Sequence, residues 1–271
     1  MATQHADALL QGASPGRLGL AVRRVPLDAP WDWLGHGWRD LCAVPFVSLA
    51  YGAVFSLLAW IILFGLSLFE AVSLIPVLAG GFMLVGPLFA AGLYEASRRL
   101  EKGERITLRQ AVGAGWRAAA RLGFFGVVLF FAFFVWVELA FLLLMLFLGL
   151  GGATLPPPSE FMQTLLFTNA GMGLLLTGTL TGAVLALIVF SISAIAPPLL
   201  LVKEVDAVTA MATSVRAVLL NIGPMLLWAA LIAGLMVLGF ATLFLGLVVA
   251  FPLVGHATWH AFRALVELDK P

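Results

Sequence analysis

Residues 124–151 read FFGVVLFFAFFVWVELAFLLLMLFLGLG, and in this run a single side chain, Glu138, carries a charge. The run is continuous rather than alternating, which rules out a barrel strand of about 9–11 residues with every second side chain polar. It is also longer than the roughly 20 residues that carry a helix across a bilayer. Backbone groups in hydrocarbon have to bond within their own segment, so a stretch of this kind is a helix. The rest of the chain has to be organised around it.

Two further apolar blocks, 46–93 and 222–262, flank the middle block 122–202, and each block is too long for one crossing. The first turns near Glu70 and the third near Thr242; the middle one turns at GGATLPPPSEF, residues 151–161, whose glycines and prolines stop a helix. The expected spans are 47–69, 72–93, 122–149, 169–196, 222–240 and 243–262. Composition agrees: 11% of the residues are charged, against about 25% in soluble domains.

Charge tests the count independently. With six crossings both termini and the connections 94–121 and 203–221 share one side. All fifteen Lys and Arg residues lie in those regions. They are Arg17, Arg23, Arg24 and Arg39; Arg98, Arg99, Lys102, Arg105, Arg109, Arg117 and Arg121; Lys203 and Arg216; and Arg263 and Lys270. The opposite turns have none, and the positive-inside rule puts the basic side in the cytoplasm.

Amphipathic stretches precede the pairs of spans. WDWLGHGWRDLCAVP at 31–45 mixes tryptophans with Arg39 and Asp40, as an interfacial helix does. GWR stands at 37–39 and again at 115–117, and SVR at 214–216; the returning helices carry Pro87, Pro197 with Pro198, and Pro252 near their inner ends. The reading is an all-α membrane protein: six transmembrane helices as three hairpins, each preceded by a cytoplasmic interfacial helix, in three degenerate repeats. Residues 1–30 are expected as a flexible cytoplasmic tail, 31–265 as a single six-span domain and 266–271 as a second tail. Trp38, Arg39, Trp116, Arg117, Arg216, Trp259 and Arg263 are the expected interface and topology markers. The first 46 residues hold no apolar core of a cleavable signal peptide. The single cysteine, Cys42, excludes an intramolecular disulfide, a CxxC redox pair and a CxxCH haem attachment.

Four residues stand out for chemistry. His256 and His260, in FPLVGHATWHAFR at 251–263, share a helix face with Cβ atoms about 6 Å apart, a spacing that suits one transition metal or haem iron. His36 would stand at the same membrane face. The competing reading puts Trp259, His260 and Arg263 in an interface belt, with His256 bonded to a neighbouring helix. Glu138 lies about 25 Å along its helix from Arg121, and an ionisable group inside a membrane is a functional hypothesis by default. It faces the bundle, toward Thr177, Thr179 or Thr181, or sits as a protonated acid near the outer interface. Pro76, Gly80–Gly81 and Gly86–Pro87 in the second span mark either a substrate-binding break or ordinary kinking. Gly178 and Gly182 form a GxxxG contact motif. RRLEKGERITLRQ at 98–110 is either attracted to anionic headgroups or a solvated hairpin.

APPLLLVKEVDAVTAMATSVRAVLLNIGPMLLW at 196–228, FPLVGHATWHAFR at 251–263, WLGHGWRDL at 33–41 and GPLFAAGLYEASRRLEKGE at 86–104 carry a resemblance. The chain resembles the bacterial integral-membrane family catalogued as domain of unknown function 2189 (DUF2189). More distantly, its layout is similar to the six-span membrane domains associated with glycerophosphodiester phosphodiesterases. The resemblance implies a fold and an inner-membrane location, and it implies no activity. The sequence has no GxxxxGK[ST] loop, GxSxG elbow or HExxH, and no basic patch interleaved with aromatics of the nucleic-acid-binding kind. The expected function is a non-enzymatic scaffold, accessory or assembly component of the bacterial inner membrane. Its expected partners are the lipid bilayer and a larger membrane complex or a second copy, with no nucleic acid and no cofactor. The alternatives are a small transporter or channel using Glu138, and a metal- or haem-binding protein using His256 and His260.

Overall fold

The computed structural model describes residues 19–69, 71, 74–149 and 158–268. Among them the regular structure is helical, apart from an isolated antiparallel bridge between Val22 and Val266. Helix α1 (Ala29–Ala43) leads through Val44 into α2 (Pro45–Leu68), and α3 (Ile75–Phe89) bends at Ala90 into α4 (Ala91–Glu101). Then come α5 (Leu108–Arg117), α6 (Ala119–Leu148), α7 (Pro158–Phe167), α8 (Asn169–Ser193) and α9 (Ala196–Val202). The chain closes with α10 (Ala207–Leu220), α11 (Ile222–Ala241) and α12 (Leu247–Leu265). Short helices α1, α5 and α10 thus precede α2, α6 and α11, and they contain the GWR, GWR and SVR strings.

Local chemistry sets these boundaries. Pro30, Pro45 and Pro76 sit in the first turns of α1, α2 and α3, where a missing N–H leaves no bond unmade and φ is preset. Thr107 and Gln110 form a reciprocal capping box at the start of α5. Asp206 caps α10 through the Thr209 N–H, and Thr168 caps α8 through the Gly171 N–H. Gly149 ends α6 at φ 66°, a left-handed conformation natural to a residue without Cβ.

Among the described residues, four helical stretches are long and apolar enough to cross a bilayer: α2, α6, α8 with α9, and α11; the bent pair α3 and α4 makes a fifth. The structure moves the expected boundaries in three places. The second span does not run straight to residue 93: Pro87 lies inside α3, and the axis bends by 40° into α4. Tyr94 Oη donates to the Pro87 carbonyl at 3.2 Å, covering an acceptor at the bend. The sixth expected span begins only at Leu247, after a turn in which Leu243 and Phe244 take φ of 53° and 66°. Thr242 Oγ1 braces that turn by accepting from the Gly246 N–H at 2.8 Å. Finally, the connection expected over 151–161 already contains the start of α7, whose Phe161 and Leu165 pack on Leu144 and Leu174. Its residues 151–157 and the expected turn at Glu70 lie outside the described residues.

The glycines of α3 do not unwind it. Trp136 of α6 seats between Gly80 of α3 and Gly182 of α8, where an added Cβ would come within 3.0 Å of the indole. Its Nε1–H donates to the Val77 carbonyl at 2.7 Å. At Gly80 the helix is notched to receive the Trp136 ring.

Burial concentrates at one end of the bundle, around Leu93, Tyr94, Phe125, Leu199, Trp259 and Phe262. Here the chain enters and leaves, because Val22 pairs with Val266. Leu20 N–H donates to Thr213 Oγ1 at 2.9 Å, and Asn221 accepts from Val25 N–H and donates to the Arg23 carbonyl, each at 2.9 Å. Residues 19–28, expected as part of a flexible tail, are therefore an extended strap tied to α10 and its end. Residues 1–18 and 269–271, with the remainder of both expected tails, lie outside the described residues. Arg121 donates to the Lys203 carbonyl at 3.1 Å, so the segments bearing basic residues meet at this same end. Away from it, α2, α6 and α11 turn Phe64, Phe131, Leu146 and Val237 outward, as helices solvated by lipid do.

Candidate functional site

Close backbone approach puts α12 at the centre of this base. An added Cβ on Gly37 of α1 would stand 2.7 Å from the Ala257 nitrogen. Gly52 of α2 lies directly on the Val248 carbonyl, and Gly255 of α12 admits Leu93 of α4. Small residues let helices come this near, and the approach brings polar side chains of four helices within bonding range.

His256 is fully buried, and Ser48 Oγ of α2 and Ser97 Oγ of α4 each lie 2.8 Å from a ring nitrogen. The proton positions follow from the partners. Ser48 donates its one hydrogen to the Val44 carbonyl at 3.0 Å, so its oxygen accepts from His256 Nε2–H. Nδ1 is then the acceptor for Ser97 Oγ–H.

One turn along α12, His260 Nε2 meets Asp40 Oδ2 of α1 at 2.8 Å. The His36 ring lies 5.1 Å from that of His260, tilted by 34°, with its Nδ1 donating to the Asp32 carbonyl at 2.8 Å. Burial alone would raise the Asp40 carboxyl, but the hydrogen bond from His260 opposes it and the carboxyl is held below its ordinary range. A depressed carboxyl contributes stability above its unfolded pKa and loses it as pH falls through the folded value. Thermal unfolding in detergent is accordingly expected to shift down between about pH 5 and pH 3. Asp40→Asn, less stable at neutral pH, is expected to show a smaller acid-dependent fall.

Two carboxylates close the base. Glu101 accepts from Trp259 Nε1 at 3.3 Å and from Arg263 Nε at 3.0 Å, joining α4 to α12. Glu95, buried, accepts from Arg98 Nε at 2.7 Å and Arg99 Nε at 2.8 Å, and Arg117 reaches it only at 3.9 Å.

Of the residues singled out from sequence, His36, His256 and His260 do gather at one end. They do not converge on one point: both His256 nitrogens are taken by serines and His260 is turned to Asp40. Among the described residues no group of three or more His, Cys, Asp or Glu side chains is placed to hold a metal ion. Trp259 is not an interface tryptophan, since it is buried against Phe262 and Glu101, whereas Trp38 and Trp116 are exposed. Arg39 is exposed on α1 and Arg216 is partly buried on α10. Glu138 is exposed, which sets aside the alternative that turns it toward Thr177, Thr179 or Thr181 and leaves the one near the outer interface. The inward stripe of α6 includes Phe125 and Leu129, and nine positions beyond Leu129, at 3.6 residues per turn, is the opposite side of the helix.

Asp40, Ser48, Ser97, Glu95 and Glu101 escaped sequence reasoning. Two signals were present: Ser48, Gly52 and Ser56 recur at intervals of four, and Glu95 precedes Arg98 and Arg99 at helical spacing.

Residues 74–202 match the family described as a predicted integral membrane protein, DUF2189. By this segment the chain is similar to the DUF2189 family. No curated protein and no solved structure matches the chain. The DUF2189 segment includes the string at 86–104 and supplies Glu95, Ser97, Glu101 and Arg117 to the base. Asp40, Ser48, His256 and His260 come from its two flanks, so the site is assembled from both sides of the matched region.

Proposed function

We propose that the protein is a non-enzymatic component of the bacterial inner membrane, a scaffold or accessory subunit with six spans in three hairpins and both termini in the cytoplasm. The Val22–Val266 bridge supports an even number of crossings, with the bent α3–α4 pair and α12 completing the four most apolar stretches. One observation carries the functional reading. His256 and His260 of α12 bond to Ser48 of α2, Ser97 of α4 and Asp40 of α1, and Arg263 of α12 bonds to Glu101 of α4. They tie the hairpins together at the base and leave the outward faces of α2 and α6 as the surface offered to a neighbour.

Site-specific photo-crosslinking in membranes tests this, with the reactive group at Ile62 of α2 or Phe131 of α6, both exposed. The expected result is a discrete protein adduct from one of these positions. Lipid adducts alone at both, together with solute flux in reconstituted vesicles that Glu138→Gln abolishes, would replace this reading with a transporter. A cytoplasm-dependent reporter fused after Pro271 is expected to be active.

A further inference from the structure

The face of α5 opens into two adjoining cavities of opposite character. One, of about 640 Å³, has a basic rim, with Thr107, Arg109, Gln110 and Arg117 along it. The other, of about 560 Å³, is an apolar groove between the α3–α4 bend and α6, walled by Leu88, Phe89, Val127 and Phe130. Val112 and Trp116 line both, so the two adjoin as one open surface groove, cationic at one end and apolar at the other. Glycines make the groove: Gly92, Gly115, Gly123 and Gly126 contribute no side chains to it. Tyr51 lies across it with its hydroxyl against Gly92.

The level is that of the headgroups. Arg121 follows α5 by one turn of helix, and from Gly123 to Phe130 the groove runs about 10 Å further along α6. Trp116, 79% exposed, stands at the junction, where an amphipathic ring belongs at a membrane interface. The cations at the mouth are not committed elsewhere. Arg109 has no ion pair among the described residues, and Arg117 has only the 3.9 Å contact to Glu95, whose oxygens Arg98 and Arg99 already hold. Thr107 and Gln110 are engaged with each other in the capping box.

We infer that this surface groove binds one anionic phospholipid of the surrounding bilayer, its phosphate between Arg109 and Arg117 and one acyl chain in the apolar end beside Gly123. Guanidinium forks match phosphate geometry, and the apolar groove directly behind them suits a ligand with a chain attached rather than a free anion. The inference stands apart from the scaffold reading, since the site lies outside the histidine base and needs no protein partner.

Native mass spectrometry of the delipidated protein, titrated with phosphatidylglycerol or phosphatidylcholine of identical chains, tests it. The wild type is expected to retain phosphatidylglycerol preferentially. Arg109→Gln with Arg117→Gln is expected to weaken phosphatidylglycerol retention roughly thirty-fold, from about 1 kcal/mol per basic residue at a lipid surface, and to weaken phosphatidylcholine less, because its choline cation already offsets the phosphate charge. Gly123→Leu is the second variant: a Cβ there meets nothing within 4 Å, so leucine fills the groove without disturbing packing and is expected to weaken retention of both lipids. Equal retention of the two lipids by the wild type, or phosphatidylglycerol binding indifferent to loss of both arginines, overturns the headgroup site. Retention unaffected by Gly123→Leu overturns the groove.

Discussion

His256→Leu is expected to lower the apparent melting temperature in detergent by roughly 5–15 °C, corresponding to a loss of about 2–4 kcal/mol. Leucine fills much of the same space, so the effect is one of hydrogen bonds and not of a cavity. The ring joins α2 and α4 to α12 through two 2.8 Å contacts in a fully buried setting. Removing it leaves Ser97 with a buried hydroxyl and no partner on α12, while Ser48 keeps its bond to the Val44 carbonyl. A buried polar group without a partner costs more than the bond itself contributed. The combined variant Ser48→Ala, Ser97→Ala, His256→Leu is therefore expected to be more stable than the sum of its single changes, and close to His256→Leu alone. Strict additivity of the three would mean that the groups do not act as one network. The same variants separate the structural role from metal binding, since a metal site would also change the metal content of the purified protein.

What the sequence made legible follows from which forces act locally. Apolar runs mark helices in a membrane because nothing else satisfies the backbone there, and the GWR and SVR strings fall inside α1, α5 and α10 as read. The tie at the base was not legible in the same way. His256 and His260 announce themselves by being polar in an apolar run, but their partners Ser48, Ser97 and Asp40 lie 208, 159 and 220 residues away along the chain. Such pairings are set by how helices pack. Glu138 keeps two placements open in the sequence for a related reason: a 30-residue helix with aromatic residues on every side gives no amphipathic stripe to say which face is inward. Trp259 was read as an interface residue from its neighbours His260 and Arg263, yet Glu101 on α4 neutralises Arg263 at 3.0 Å and draws the indole inward. The resemblance to DUF2189 left these partners unassigned.

Gly52→Leu is expected to be the most damaging single change in the base, costing at least about 3 kcal/mol and lowering the melting temperature by roughly 10 °C or more. Gly52 lies between Ser48 and Ser56 on the buried stripe of α2 and faces the Val248 backbone of α12. The obstacle is main chain, which cannot rotate away as a side chain does, so the two helices must separate. Separation at Gly52 would also pull Ser48, one turn earlier, off His256. Gly65→Leu on the same helix is the control, since a Cβ at Gly65 meets nothing within 4 Å. Both changes add the same apolar side chain and both favour membrane insertion. Hence a difference between them in protease resistance and melting temperature isolates packing from insertion. Equal stability of the two variants would show that α2 does not rest on α12, and the base would then have to be held by the Asp40–His260 and Glu101–Arg263 contacts alone.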